Sequence, residues 1–253
     1  MSAQRITGTI RRRLLVNALV DPDEAAARLP DGVRPHLTGG HVVVGCCLLE
    51  IERIRPAPLP AVAGRTLRAA AHRISVEWED ASGATVTGVY VPVRHTDSRA
   101  AIALGGRWFP GVHERARVEI TPSDGYLGWV SEPLHGDGLA IRVAVSIPPE
   151  HAPRPVGDPV GETCLGATIG LSPDHRGALE AARMVPEHRD ASAVVVDVLD
   201  SAFLDSFTTA TPAPSYLMRA TDVIWTPAGP PGTAVPATGV RAGGAPRVHT
   251  RPG

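Results

Sequence analysis

Alternating hydrophobic and polar positions dominate this chain. They recur in short segments separated by glycine, proline and aspartate. In HRISVEWED, residues 72–80, His72, Ile74, Val76 and Trp78 share one face of a strand, and Arg73, Ser75, Glu77 and Glu79 share the other. ASGA follows as a turn and TVTGVYVPVRHT returns, which predicts a hairpin. RARVEIT and YLGWVSE form a second alternating pair around Pro122-Ser123-Asp124-Gly125, and LAIRVAVSI alternates again. RRRLLVNALV, residues 11–20, predicts an edge-type strand with a basic start. HVVVGCCLLEIE, residues 41–52, is nearly continuous in apolar residues and predicts a buried strand. RIRPAPLPAVAG reads as a proline-rich loop, and SAVVVDVLD and YLMRATDVIW as later strands.

Helical signals are few. Asp21 is a good N-cap, Pro22 suits the first helical position, Glu24 completes a D-x-x-E capping box, and Pro30 stops the helix. SAFLDSF predicts a helical turn. SPDHRGALEAARM, residues 172–184, has a helix-like start, but Gly177 and the strand-like flank GATIGL favour a hairpin turn. Beyond Thr226 few apolar anchors remain, so a single domain is expected over 1–226 with a disordered tail over 227–253. About ten strands with two or three short helices predict an α+β domain, mostly antiparallel, whose sheet curls into a barrel or cone. Such a cone encloses a pocket.

Composition narrows the chemistry. The chain has 253 residues, 43% of them hydrophobic, and a net charge of −1. That balance gives no electrostatic reason to bind nucleic acid or an anionic membrane. The longest apolar run, VVVGCCLL, is too short to span a bilayer, so a soluble cytoplasmic protein is expected. Cys46, Cys47 and Cys164 have neither a disulfide-framework nor a zinc spacing and read as reduced packing residues. His72, His95 and His113 are not linked by H-x-H or H-x₃-H spacing, and no dinucleotide or phosphate-loop motif stands in context. No metal and no cofactor is expected. All 25 basic residues are arginine. Schiff-base catalysis needs an amine that deprotonates near neutral pH, and arginine cannot supply one.

Longer segments carry a resemblance. RRLLVNALVDPDEAAARLPDGVRPHLTGGHVVVGCCLLEIERIRPAPLP resembles the N-terminal pattern of the acetoacetate decarboxylase-like superfamily. AAHRISVEWED, GVYVPVRHTDSRAAIALGGRWFPGVHERARVEI and YLMRATDVIW resemble its DUF2071 branch. The resemblance implies a cone-like β-barrel around an apolar cavity, often in a homo-oligomer. It also implies a site. In the decarboxylase a lysine forms an imine with a β-keto acid, and the lysine pair follows the proline matched by Pro110. Those positions here are Gly111 and Val112, which excludes imine-forming activity. A pocket arginine of the family matches Arg11, with Arg12 and Arg13 adjoining it, and a pocket glutamate falls near His72.

These considerations nominate His72, Glu77 and His113 as catalytic acid/base groups. Arg11, Arg73, Tyr90, Arg107 and Trp108 are nominated for substrate binding. Each has a plainer reading: His72 as a hydrogen-bonded core histidine, Arg73 and Glu77 as a surface ion pair, Arg94 as a partner of Asp97, His113 and Glu114 as the start of a strand. The functional expectation is a lysine-independent enzyme of bacterial secondary metabolism. It would act on a small apolar or carbonyl-bearing metabolite by proton transfer and substrate pre-folding, as a cyclase, dehydratase, isomerase or lyase. The alternative is a non-catalytic small-molecule-binding protein with the same cavity.

Overall fold

The computed structural model describes residues 5–104, 111–135, 138–229 and 231. Among them, fourteen strands join one sheet. They are β1 (Ile6–Val20), β2 (Val33–Pro35), β3 (Leu37–Thr38), β4 (His41–Pro56), β5 (Arg65–Glu79), β6 (Thr85–Tyr90) and β7 (Arg94–Thr96), followed by β8 (His113–Ser123), β9 (Tyr126–Pro133), β10 (Ile141–Ser146), β11 (Ile169–Pro173), β12 (Leu179–Pro186), β13 (Ala191–Ser201) and β14 (Thr211–Ala228). The helices are α1 (Pro22–Ala26), α2 (Arg99–Leu104), α3 (Pro159–Gly166) and α4 (Ala202–Asp205). None of the described helices is long and apolar enough to cross a membrane.

The sheet is mixed, because β6–β11 and β7–β8 pair in parallel. It closes on itself twice. On one edge of β5, Ile74–Glu79 pair with β6 and Ala69–Ala71 with β7, while the other edge pairs with β4. β14 forks in the same way, with Ser215–Met218 on β13 and Val223–Ala228 on β12. Two circuits result: β4-β5-β7-β8-β9-β10-β13-β14-β1 and β4-β5-β6-β11-β12-β14-β1. Both contain the wall β14-β1-β4-β5. The expectation of a mostly antiparallel cone thus becomes one mixed sheet with two closures.

That wall has an interior on each side, and side-chain alternation sorts its residues between them. Leu14, Val16, Val44, Cys46, Leu48, Ala70, Ile74 and Leu217 enter the core of the larger circuit. Leu15, Val43, Cys47, Ala71, Tyr216 and Met218 face the smaller one. This explains the unbroken apolar run in β4, since a strand buried on both faces has no polar face to show. It also places β1 differently from the edge position expected for 11–20. β1 lies in the middle, hydrogen-bonded to β4 and β14 on either side. Each fully buried Leu or Ile in this wall contributes roughly 1.5–3 kcal/mol.

Local signals place the remaining elements. Asp21 caps α1 by accepting from the Asp23 and Glu24 amides at 2.8 and 3.4 Å. Glu24 does not complete the box. Its carboxylate accepts from the amides and hydroxyls of Thr208 and Thr209, which holds its pKa down to about 2. Residues 172–184 form the β11–β12 hairpin, with Gly177 at φ +83°. Asp158 caps α3 through the Gly161 amide at 2.9 Å, with Pro159 next in the chain. β14 runs to Ala228, and the tail expected beyond it lies almost wholly outside the described residues.

Gly45 marks where β1 and β4 approach too closely for a side chain. A Cβ there would stand 2.2 Å from the Val16 carbonyl oxygen and 3.1 Å from Asn17 Oδ1. Gly45→Ala is therefore expected to lower unfolding stability by about 1–3 kcal/mol, read from urea midpoints with the slope unchanged.

Candidate active site

The smaller circuit encloses a cavity of about 140 Å³. Its walls are largely apolar, with Leu49, Ile51, Val89, Val91, Met184 and Trp225 among them. Seven polar side chains interrupt them among the described residues: Arg13, Cys47, Arg73, Arg94, Thr96, His113 and Thr168. No aspartate or glutamate lines it among the described residues. Toward Ile54, Leu67 and Ala101 it adjoins a second hollow of about 210 Å³ beside Arg55 and Arg65.

Three guanidinium groups reach this space from three strands. Arg13 on β1 is 4% exposed and donates through Nε to Cys47 Sγ at 3.4 Å. Its Nη1 is buried with no partner among the described residues. Arg73 on β5 is 3% exposed, and donates through Nη2 to Asn17 Oδ1 at 2.6 Å and through Nη1 to the Cys164 carbonyl at 3.3 Å. That carbonyl belongs to the last turn of α3, where a cation is favoured by the helix dipole. Arg94 on β7 donates to Ser172 Oγ at 2.6 Å. Burial pushes its pKa down to about 10, against the opposing pull of Cys47 and Glu180, so it stays charged at neutral pH.

His113 opens β8 and accompanies them. Its Nδ1 lies 3.0 Å from the Gly111 carbonyl, an atom that only accepts, so Nδ1 carries the hydrogen. Burial, reinforced by the charge of Arg94, pushes its pKa down to about 4. The ring is therefore neutral at pH 7, with its lone pair on Nε2.

The nominated residues fall in several places. Arg73 and His113 line the cavity together. His72 lies on the other face of β5, fully buried in the larger circuit, with Nδ1 at 3.3 Å from Cys46 Sγ and Nε2 at 3.1 Å from the Leu139 carbonyl. Its ring packs on Phe203 at 5.0 Å and edge-on to His95 at 5.5 Å. Glu77 lies beyond the cavity, partly exposed, 3.2 Å from Arg34 and 3.4 Å from His36. Arg11 is exposed and pairs with Glu52 at 2.7 Å. Tyr90 packs against the core of the larger circuit. Asp97 takes Arg68 at 3.4 Å, while Arg94 turns to Ser172. Arg107 and Trp108 lie outside the described residues.

Two cavity arginines, Arg13 and Arg94, were not singled out for ligand binding from sequence. The register of β1 decides the first. A bulge between Ile10 and Arg12 shifts the alternation, so that Ile10 and Arg13 face the same side and Arg11 faces solvent. The strand order decides the second, since β7 is too short to show a period.

No family model matches the chain, and no curated protein matches it by sequence. Solved structures match over most of its length. Acetoacetate decarboxylase from Legionella pneumophila subsp. pneumophila str. Philadelphia 1 superposes with a TM-score of 0.58 at 14% identity, covering 91% of this chain and 89% of that one. An acetoacetate decarboxylase-like enzyme from Sphingomonas wittichii RW1 gives 0.58 at 15% identity, covering 91% and 94%. The enduracididine biosynthesis enzyme MppR complexed with pyruvate gives 0.59 at 14% identity, covering 90% and 88%. The chain has the acetoacetate decarboxylase-like fold. At these identities the likeness is one of backbone, and the chemistry has to come from the residues present.

The turn that enters β8 has a definite backbone geometry at Gly111. Gly111 sits at φ +90°, and its amide donates to Glu180 Oε2 at 3.1 Å. A Cβ there would meet Ser172 Cβ at 2.5 Å and Arg94 Nη1 at 2.6 Å. The Arg94 guanidinium lies where a side chain from residue 111 would emerge. Gly111→Ala is expected to lose about 1–2 kcal/mol from the left-handed backbone alone, and more from the clash. Thermal unfolding reads it.

His113 gives the domain a pH dependence of known sign. Its folded pKa, about 4, lies below the ordinary 6.5, so the unfolded chain takes up the proton first. The contribution to stability is complete above pH 6.5 and is lost as pH falls toward about 4. His113→Asn should flatten this part of a urea-stability profile. The Glu24 contribution fades at lower pH, between 4.5 and about 2, and should persist in the variant.

Proposed function

We propose that this chain is a lysine-independent enzyme whose substrate is a small carboxylate with an otherwise apolar body, a 2-oxo acid being the simplest case. One observation carries the reading: three guanidinium groups line a mostly apolar cavity that no described carboxylate lines. Buried cations need an anion, and arginine pairs with carboxylates in a bidentate geometry. The size agrees. An apolar cavity of about 150 Å³ admits a benzene-sized molecule, and 140 Å³ suits a handful of heavy atoms. MppR, a structural neighbour, was solved with pyruvate.

The chemistry would be proton transfer. Arg13 and Arg94 hold the carboxylate and stabilise charge that develops on a neighbouring carbonyl oxygen. His113 Nε2 removes a proton from the carbon next to that carbonyl group, and the C–H electron pair moves through the new C=C bond onto the carbonyl oxygen. An anion near Arg94 offsets the field that depresses the His113 pKa, and so raises its basicity when substrate is bound. Arg73, fixed by Asn17 and the end of α3, closes the inner wall. Enolisation of this kind underlies cyclisation, dehydration and isomerisation, and it needs no imine and no cofactor. A place in bacterial secondary metabolism, a DUF2071-like branch, a cytoplasmic location and a homo-oligomer belong to the same proposal. The quoted segments and the biosynthetic neighbour MppR support it.

A second reading has its own support. The low pKa of His113 in the protein alone suits a site that binds anions without turning them over. Pyruvate in D₂O separates the two. Exchange of its methyl protons, followed by NMR, is expected with the native chain and is lost in His113→Ala while calorimetric binding persists. Binding without any exchange in the native protein would favour the binding-protein reading. Arg13→Gln and Arg94→Gln are each expected to weaken binding at least about tenfold, since losing one side of such a contact costs about 2–5 kcal/mol.

A further inference from the structure

The three cysteines have different surroundings. Cys46 faces the core of the larger circuit, fully buried against His72 and Ser201, and burial pushes its pKa up to about 12. Cys164 lies in α3 at 2% exposure, with its sulfur 3.3 Å from Asn17 Oδ1. Cys47 alone among them lines the cavity. Its strand neighbour Ala71, and Ala69 beyond, carry only methyl groups and line the same cavity.

A cysteine on a cavity wall is not by itself a site. The second observation is Arg13, more than nine-tenths buried, which lines the same cavity with an unpartnered Nη1 while its Nε donates to the Cys47 sulfur. One guanidinium thus touches the thiol at one corner and keeps a buried, unpartnered donor at another. A carboxylate that reached this guanidinium would stand next to the sulfur.

We propose that Cys47 is a nucleophile of this cavity, reacting covalently with small electrophiles that carry a carboxylate. The inference rests on the carboxylate-binding reading above and adds a reactive group to it. With a 2-oxo acid, a carbon–sulfur bond forms as the carbonyl π pair moves onto oxygen. The thiol proton passes to solvent and the oxygen takes one up, giving a hemithioketal that reverses without oxidant or leaving group. With a haloacetate, the carbon–halogen bond breaks, halide departs and the thiol proton goes to solvent, so the adduct is permanent and can be mapped.

Iodoacetate and its neutral amide provide the test, on the folded full-length chain, read by intact mass and peptide mapping. Without a recruiting cation, the negative charge of iodoacetate gives it no advantage over iodoacetamide. Bound beside the sulfur, it gains from proximity. Cys47 is expected to react with iodoacetate at least about tenfold faster than with iodoacetamide, with saturation in reagent and protection by pyruvate. Cys46 and Cys164 are expected to stay unlabelled until the chain unfolds. Arg13→Gln should bring the ratio to unity or below while iodoacetamide still labels Cys47, and Cys47→Ser should remove the label. Failure to label Cys47 in a folded chain that binds pyruvate overturns the inference and leaves the carboxylate site standing. Labelling with no preference for the anion, and no pyruvate binding or protection, overturns both.

Discussion

A strand whose two faces are both buried divides its residues between two interiors, and β1, β4, β5 and β14 are such strands. They form the wall common to both circuits of the sheet. Alternation then separates neighbours in sequence completely. Cys46 and His72 enter one compartment, and Cys47 and Arg73 enter the other. A slip of one residue would exchange the two sets, putting guanidinium into a packed core and apolar side chains beside the ligand space. The register therefore has to be held firmly. The close approach at Gly45, the bulge between Ile10 and Arg12, and the bond from Asn17 to the Pro214 carbonyl at 2.7 Å all hold it.

The cavity gathers cations on one side of that wall, and the other side shows the contrast. There Arg12 and Arg68 close on the buried carboxylate of Glu50, with Arg11 near it, so charge is matched within the protein. On the cavity side the described partners of Arg13 and Arg73 are a thiol, an amide oxygen and a helix-end carbonyl, and Arg94 bonds a hydroxyl in the field of Glu180. Dipoles soften the desolvation of an arginine but do not cancel its charge. Among the described residues, no carboxylate lines the cavity itself.

Removing lysine from the chain changes which groups remain for covalent and proton chemistry. In the decarboxylase relatives the resemblance places an amine just after the matched proline. Here Gly111 leaves that path to the Arg94 guanidinium, with Ser172 against it. A guanidinium binds and polarises but does not attack carbonyls at neutral pH. Among the described side chains that line the cavity, the His113 ring supplies a nitrogen base and Cys47 a thiol.

Much of the secondary structure was legible in the sequence because it depends on neighbours in the chain. Period-two alternation marked HRISVEWED and RARVEIT, Asp21-Pro22 marked a helix start, and Gly177 settled the 172–184 hairpin. Asp158-Pro159 signals the start of α3 equally well, though the prolines preceding it obscure the pattern. The absence of lysine, and so of any side-chain amine for imine formation, needed no structure. Other features needed the tertiary fold. Alternation gives two faces but does not say which is inside, and here both are, so His72 and Arg73 could not be ranked from their strand. The choice of Arg13 over Arg11 turned on a bulge, which depends on how β1 registers against β4. The meeting of Arg13, Arg73, Arg94 and His113 turned on two closures of the sheet, made by strands far apart in the chain. Local preferences reach only a few residues along the chain. The cavity exists because long-range pairing joins strands that carry no local sign of one another.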